Sequence, residues 1–384
     1  MKKVSVKRSK ATFITVGLCL ILTLIFITGC QDQETEGKPK EETSDENEIS
    51  EGSNEKEDKK EDEEDNSEPE IDYQNVEPNE LGEIMILMYH RIGDEEDTWE
   101  RTRENFREDL ERLYEKDYRI VNLMDIVEGN IDLPPGKTPV VLTFDDGTSG
   151  HFGYKENEDG EKIIDPDTAV GIILEMKEKY EDFTVGGTFY VNYLPTPFKS
   201  QDKYEEKIIH LDELGFEIGN HGYNHQDLKK ISEDNSKEEA KELIQEELGL
   251  HQKYTEEIIP NYQVKSLALA FGQWPQGDKL KEYVYSGEHN DTSYEHKAVL
   301  NVGWKPSKSP FHKGFDSLDL PRIRADQARI DKWLSHYENR PEDRYVSDGN
   351  NNTISIPEEK EDYLNEEFLD EINKEINLYS IEKD

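Results

Sequence analysis

Cysteine is almost absent from this chain of 384 residues; only Cys19 and Cys30 occur. So few cysteines exclude a disulfide framework and a Cys-based zinc site. The domain must be held by its core, and roughly 300 residues are ample for that. Positive charge is also scarce. Lys and Arg total 46 against 89 Asp and Glu, a net charge of -43. Nucleic acid is excluded as a partner, because phosphate binding needs basic patches. Large apolar residues are nearly missing from 31–80, which is dense in Glu, Asp, Lys, Ser and Asn. Such a stretch cannot bury enough surface to fold, and its charges extend it. We expect a solvated tether over 30–80, then one folded domain over 81–384 with an acidic C-terminal extension.

What is present at the N-terminus is a targeting pattern. Lys2, Lys3, Lys7, Arg8 and Lys10 precede an apolar run over 11–27, which leads into Thr28-Gly29-Cys30. This resembles the lipobox of bacterial lipoproteins. The resemblance implies a signal peptide over 1–29 and lipid attachment at Cys30, with the protein held on the outer face of the cell membrane. An uncleaved membrane anchor is the alternative.

Beyond the tether, apolar strands alternate with amphipathic helices. Strands are expected at 84–89, 118–123, 139–144, 185–191, 216–219, 266–271, 298–302 and 318–323. Helices are expected from a Thr102 cap, from Pro166 to Tyr180, over 203–214 and over 236–254. This order argues for parallel strands joined by right-handed crossovers. About seven such units fit a closed α/β barrel better than an open sheet. The polar excursion over 148–165 is long for a connection, and the tail carries one strand-like piece at 353–356 and a terminal helix.

Two stretches carry chemistry. The run Pro139-Val140-Val141-Leu142-Thr143-Phe144-Asp145-Asp146-Gly147 ends a buried strand with two carboxylates. Charges there are costly unless paired, although an Asp-Gly turn is a common strand end. The run Gly215-Phe216-Glu217-Ile218-Gly219-Asn220-His221-Gly222-Tyr223-Asn224-His225 ends a strand with two histidines four apart. A helical turn after Asn220 would point both imidazoles one way. Two His and one carboxylate suit catalytic zinc or non-haem iron; a lone His pair is more often a solvated helix face. In a parallel barrel all these strand ends share one face, which favours a metal site.

Thr143-Phe144-Asp145-Asp146-Gly147 and His221-Gly222-Tyr223-Asn224-His225 are similar to two motifs of the polysaccharide deacetylases, also called carbohydrate esterase family 4 or NodB-homology proteins. Gly187-Thr188-Phe189-Tyr190-Val191 looks like the strand between them, and the resemblance covers roughly 83–323. It implies a distorted (β/α)7-type barrel and removal of N-acetyl or O-acetyl groups from sugars. By the same resemblance Asp146, His221 and His225 hold a divalent metal, zinc first and cobalt or nickel as alternatives, and Asp145 is the general base.

The general acid has two candidates. Leu334-Ser335-His336 matches the late motif of the family but reads as helix. Met88-Tyr89-His90-Arg91-Ile92 resembles the opening of exported poly-N-acetylglucosamine deacetylases, so His90 is preferred; its alternative is a packed strand-end histidine. The strand at 266–271 lacks the arginine the family places there. Arg322 is the candidate to supply that charge from another strand, unless it forms a surface ion pair. Trp274 and Trp304 are candidates for stacking on sugar rings, or else packing residues.

The leading expectation is a lipid-anchored, metal-dependent deacetylase of an acetylated cell-envelope polysaccharide. Peptidoglycan, a secreted poly-N-acetylglucosamine and acetylated xylan all stay open, and the lipid anchor favours a cell-envelope polymer over a plant one. A non-catalytic glycan-binding scaffold and an iron oxygenase are the alternatives.

Overall fold

The computed structural model describes residues 71–199 and 203–380. Cys30 and the expected signal peptide lie outside the described residues, as does most of the expected tether. Among the described residues no helix is long and apolar enough to cross a membrane.

Seven short strands follow one another around the sheet in chain order: β1 (Glu83–Tyr89), β2 (Thr138–Asp145), β3 (Thr188–Val191), β4 (Glu217–Asn220), β5 (Ser266–Ala268), β6 (Ala298–Leu300) and β7 (Ile323–Arg324). Each neighbouring pair from β6 round to β1 is parallel, and β7 lies parallel on the far side of β1. Isolated parallel bridges Leu300↔Leu320 and Gly303↔Ile323 then join the end of β6 to the approach to β7. The sheet thus curls into a ring whose last seam is its thinnest, a barrel as expected from the alternation of elements and distorted as the resemblance implies.

Helices α1 (Arg103–Glu115), α2 (Ala169–Lys179), α3 (Tyr204–Glu213), α4 (Lys237–Ile258) and α5 (Gln327–Asn339) belong to the connections and the C-terminal segment. Thr102 caps α1 by accepting the N–H of Asn105, and Ser236 opens α4 with a capping box. The excursion after β2 is a small antiparallel hairpin, Tyr154–Glu156 with Lys162–Ile164. The expected strand over 118–123 is shorter, Tyr118–Ile120, and turns at once into the helix Leu123–Val127.

Alternation along the strands sorts their side chains into two layers. Met85, Leu87, Tyr89, Leu142, Phe144, Phe189, Val191 and Ile323 join the core beneath the helices. Ile84, Ile86, Val141, Tyr190, Ala268, Ala298 and Leu300 join a second core, with Tyr190 donating to Ser266 Oγ at 3.0 Å. The parity of this second set runs on to His90, Asp145, Asn192 and His221 at the C-terminal strand ends.

Folded structure begins before Leu81, earlier than expected. Residues Tyr73–Val76 form a helical turn, and Asn79 and Glu80 are buried. They are held by the C-terminal extension, whose strand Thr353–Pro357 pairs in parallel with Glu375–Tyr379. Glu80 accepts from Tyr345 Oη and from the Ser355 N–H, each at 2.8 Å. Burial, helped by the nearby Asp348 carboxylate, pushes the Glu80 carboxyl up to about 8. The folded state therefore holds this proton more tightly than the unfolded chain, so stability falls as pH rises from about 4.5 to about 8. A Glu80→Gln variant should match the parent in thermal midpoint near pH 4.5 and exceed it above pH 8. Equal midpoints across that range in thermal melts would show that Glu80 does not titrate in the fold.

Candidate metal centre and its cavity

A cavity of 740 Å³ opens at the C-terminal end of the ring. His90, Asp145, Asp146, His221 and His225 all line it. Asp145 is the last residue of β2 and its carboxylate follows the inward parity. Asp146 by alternation should face away, but its backbone adopts φ +72 and Gly147 follows at φ +56. This left-handed step, which Asp tolerates better than most residues, turns the second carboxylate into the cavity as well.

Asp146 Oδ1 lies 3.4 Å from His221 Nε2 and 3.3 Å from His225 Nε2. One ligand atom from each of the three residues fits within 4.8 Å of the others. His221 Nδ1 is 2.8 Å from the Ala268 carbonyl. Donation to that carbonyl puts the proton on Nδ1 and leaves the Nε2 lone pair facing Asp146, as a metal-binding histidine requires. The donor set and its spacing fit a divalent cation.

The loop carrying the histidines is not the helical turn expected. His221 leaves β4 directly, Gly222 takes φ +78 and His225 φ +52. The loop is instead cradled by α4. Glu247 Oε1 accepts the N–H groups of Asn224 and Gln226 at 2.9 and 3.0 Å, and its Oε2 accepts Gln226 Nε2 at 3.0 Å. A Cβ on Gly222 would sit 2.4 Å from Glu247 Oε1, so only glycine fits. Asn220 Oδ1 takes the Gly222 N–H at 2.8 Å. In the sequence Glu247 is one more charge on a charged helix; nothing there marks it as buried, yet it is 2% exposed.

Asp145 is held by Arg322. The guanidinium donates to Asp145 Oδ1 at 2.6 Å and Oδ2 at 2.8 Å, and also reaches Thr143 Oγ1 and the Asn301 carbonyl, each at 3.2 Å. Neither partner is a surface group: Arg322 is fully buried and Asp145 2% exposed. The positive charge beside Asp145 thus comes from an arginine entering β7, and not from the strand at 266–271. Burial alone would raise the Asp145 carboxyl, but Arg322, His221 and His90 outweigh it and hold it below the usual range.

His90 Nε2 stands 4.0 Å from Asp145 Oδ2, and the Trp99 ring packs on the imidazole with centroids 4.6 Å apart. Burial lowers its pKa despite Asp145 and Asp146, so it rests neutral near pH 7. Buried His151 contacts the His90 carbonyl through Nε2 and accepts the Thr148 N–H on Nδ1 at 3.2 Å. His336 lies on α5 and pairs with Asp343 at 3.0 Å; it does not line the cavity.

The two tryptophans singled out in the sequence do not line the cavity either. After Gly272, at φ +63, the chain leads away and Trp274 packs toward Tyr285 in the cluster of Leu267, Leu269 and Leu280. Trp304 is 70% exposed, and its carbonyl accepts Trp333 Nε1. The aromatic groups on the cavity are Trp99 and Phe271. Phe271 holds φ +57, an outlier for a bulky residue, with its ring 4.6 Å from that of His225.

Because Glu247 holds the backbone on both sides of His225, Glu247→Leu should weaken divalent cation binding about 10- to 100-fold, as loss of such a supporting contact does. Competition of the cation against a chromogenic chelator reads this directly. Unchanged affinity in a folded variant would show that the loop holds its shape without Glu247.

The family model described as polysaccharide deacetylase matches residues 132–279, a stretch that contains both aspartates and both histidines but neither His90 nor Arg322. No curated protein matches the chain. Among solved structures, the chain is similar to the Streptococcus pyogenes deacetylase PplD in complex with acetate, at 17% identity and a TM-score of 0.47, over 66% of this chain and 97% of that one. It is similar to IcaB from Ammonifex degensii at 16% identity and a TM-score of 0.46, over 66% and 96%. It is also similar to a de-N-acetylase from Aggregatibacter actinomycetemcomitans at 17% identity and a TM-score of 0.46, over 65% and 99%. The candidate metal centre therefore lies within the part of this chain that matches the polysaccharide deacetylase family.

Proposed function

We propose that this protein is a metal-dependent hydrolase that removes acetyl groups, chiefly N-acetyl groups, from a cell-envelope polysaccharide. The observation that carries the proposal is one cavity in which Asp146, His221 and His225 converge beside a separate carboxylate, Asp145, fixed by Arg322. Asp146, His221 and His225 would hold the cation, with zinc preferred and cobalt or nickel suited to the same ligands. When bound, such a cation lowers the pKa of its water and polarises the acetyl carbonyl.

The chain's own groups handle the protons. Asp145, ionised at rest, takes the proton of the attacking water. The single N–H of a neutral His90 is too weak an acid for the leaving amine, so His90 must first receive a proton. Asp145 Oδ2 is the near source at 4.0 Å, and Arg322 disfavours a protonated Asp145, which drives the transfer. His90 Nε2 then protonates the leaving amine. Trp99 and Phe271 wall the cavity and offer apolar faces to a sugar ring or the acetyl methyl. An anchored Asp145 favours this reading over a non-catalytic scaffold, which needs no arginine there.

The test is acetate release from N-acetylglucosamine oligomers and from peptidoglycan by the cation-loaded protein. Asp145→Asn should lower the rate by at least about 100-fold, the usual scale of a lost acid–base group, while still binding the cation. Full activity in that variant would overturn the mechanism. Turnover that requires oxygen and a 2-oxo acid would favour an oxygenase instead.

We further propose that lipid on Cys30 anchors the enzyme at the outer face of the membrane, supported by the basic, apolar and Gly29-Cys30 pattern. Cys30→Ser should move the protein out of the membrane fraction; equal retention of the variant would argue for an uncleaved anchor.

A further inference from the structure

One polar side chain on the cavity has no role in the chemistry above. Asn192 follows β3 directly and is 4% exposed. Its parity matches that of Thr188 and Tyr190, and the Tyr190 hydroxyl reaches Ser266 on β5. Asn192 lies two residues beyond Tyr190, which is in register with Asp145. It lines the cavity together with Asp146 and His221. Its carboxamide makes no hydrogen bond to any described residue. Nor are its polar atoms among those sealed from solvent without a partner.

Buried side-chain amides are nearly always hydrogen-bonded within the protein. The other buried asparagines among the described residues, Asn79 and Asn220, are bonded to neighbouring chain. An amide kept free at the mouth of a reaction site, with one acceptor and two donor hydrogens, is a group waiting for a polar ligand. We infer that Asn192 is a specificity-determining residue that hydrogen-bonds a polar group that the acetylated sugar has and a simple acetate ester lacks, a ring hydroxyl or the acetamido N–H. It thereby selects acetyl groups carried on a sugar over acetyl groups on other carriers. This rests on the deacetylase reading and names what that site recognises. Ligation and proton transfer do not need Asn192; substrate binding does, because a bound sugar that displaces its water must replace the hydrogen bond.

The experiment compares two substrates with the same acyl group: an N-acetylglucosamine oligomer, and 4-nitrophenyl acetate, which has no sugar. Parent and Asn192→Ala, both cation-loaded, are assayed on each, and cation affinity is measured alongside. We expect kcat/KM on the oligomer to fall about 10- to 100-fold, the scale of a buried polar group left without its partner, with the aryl acetate rate and cation affinity unchanged. Asn192→Asp keeps the size but loses the donors, and should also lose activity on the oligomer. Equal losses on both substrates would make Asn192 a structural residue and overturn the inference, and so would no loss on either. If the parent hydrolyses neither substrate, it is the deacetylase reading that fails.

Discussion

The buried ion pair of Asp145 and Arg322 is the constraint on which the site depends. It joins β2 to the entry of β7, across β1. On its other side β7 meets the end of β6 through isolated bridges rather than a full ladder, and there Arg322 Nε reaches the Asn301 carbonyl. Two charges out of water are a net cost unless each is well paired. Here the guanidinium is used on several edges, by two carboxylate oxygens, a threonine hydroxyl and a main-chain carbonyl. Losing one partner of such a pair typically costs about 3–5 kcal/mol, because the other charge stays buried. Arg322 therefore touches the β6 side of β7 through Asn301 and keeps Asp145 ionised through its carboxylate contacts.

A second constraint follows from parity. Inward alternation alone delivers His90, Asp145, Asn192 and His221 to one mouth. It does not deliver Asp146 or His225. Those two arrive through left-handed backbone at φ +72 and φ +52. Local strain of this kind survives only where surroundings over-determine it. For His225 the surroundings are Glu247 on α4, which holds the amides on either side of it. For Asp146 they are the Gly147 turn, whose carbonyl takes the Phe198 N–H at 2.6 Å. The geometry of the triad is thus produced by strand alternation for His221 and by turns and a helix for Asp146 and His225.

This division explains what could be read in advance. The strands and most helices were legible because apolar runs and caps are local signals, as with Thr102 and Ser236. The carboxylates and histidines were legible because charged groups seldom end apolar strands without a partner or a ligand to offset their burial. Arg322 was legible only as a candidate, since its partner lies 177 positions away. Glu247 was invisible, because a buried glutamate on a helix looks like a solvated one until the loop above it is seen. The tryptophans misled for the opposite reason: aromatic identity is visible in a sequence, but the turn at Gly272 that carries Trp274 off the cavity is not. Trp99 sits in a polar, acidic loop with no apolar run to mark it, yet it is the ring that packs on His90.

The acidity of the chain acquires a more specific meaning at the cavity. Within a protein of net charge -43, the mouth itself gathers Arg91 and Lys199 beside its histidines. Arg91 is already engaged by Asp97 and Glu100, so it adds little free positive charge. The carboxylates of the centre are likewise offset, Asp145 by Arg322 and Asp146 by the two histidines and any cation they hold. The site is therefore close to neutral at its floor while the surface around it is acidic. A neutral acetylated sugar enters such a mouth without electrostatic cost. Under the proposed reaction, the free amine product would become positively charged once it takes a second proton, and would leave the floor for the acidic exterior of the chain. On that reading the acidity of the chain favours departure of the product over its retention.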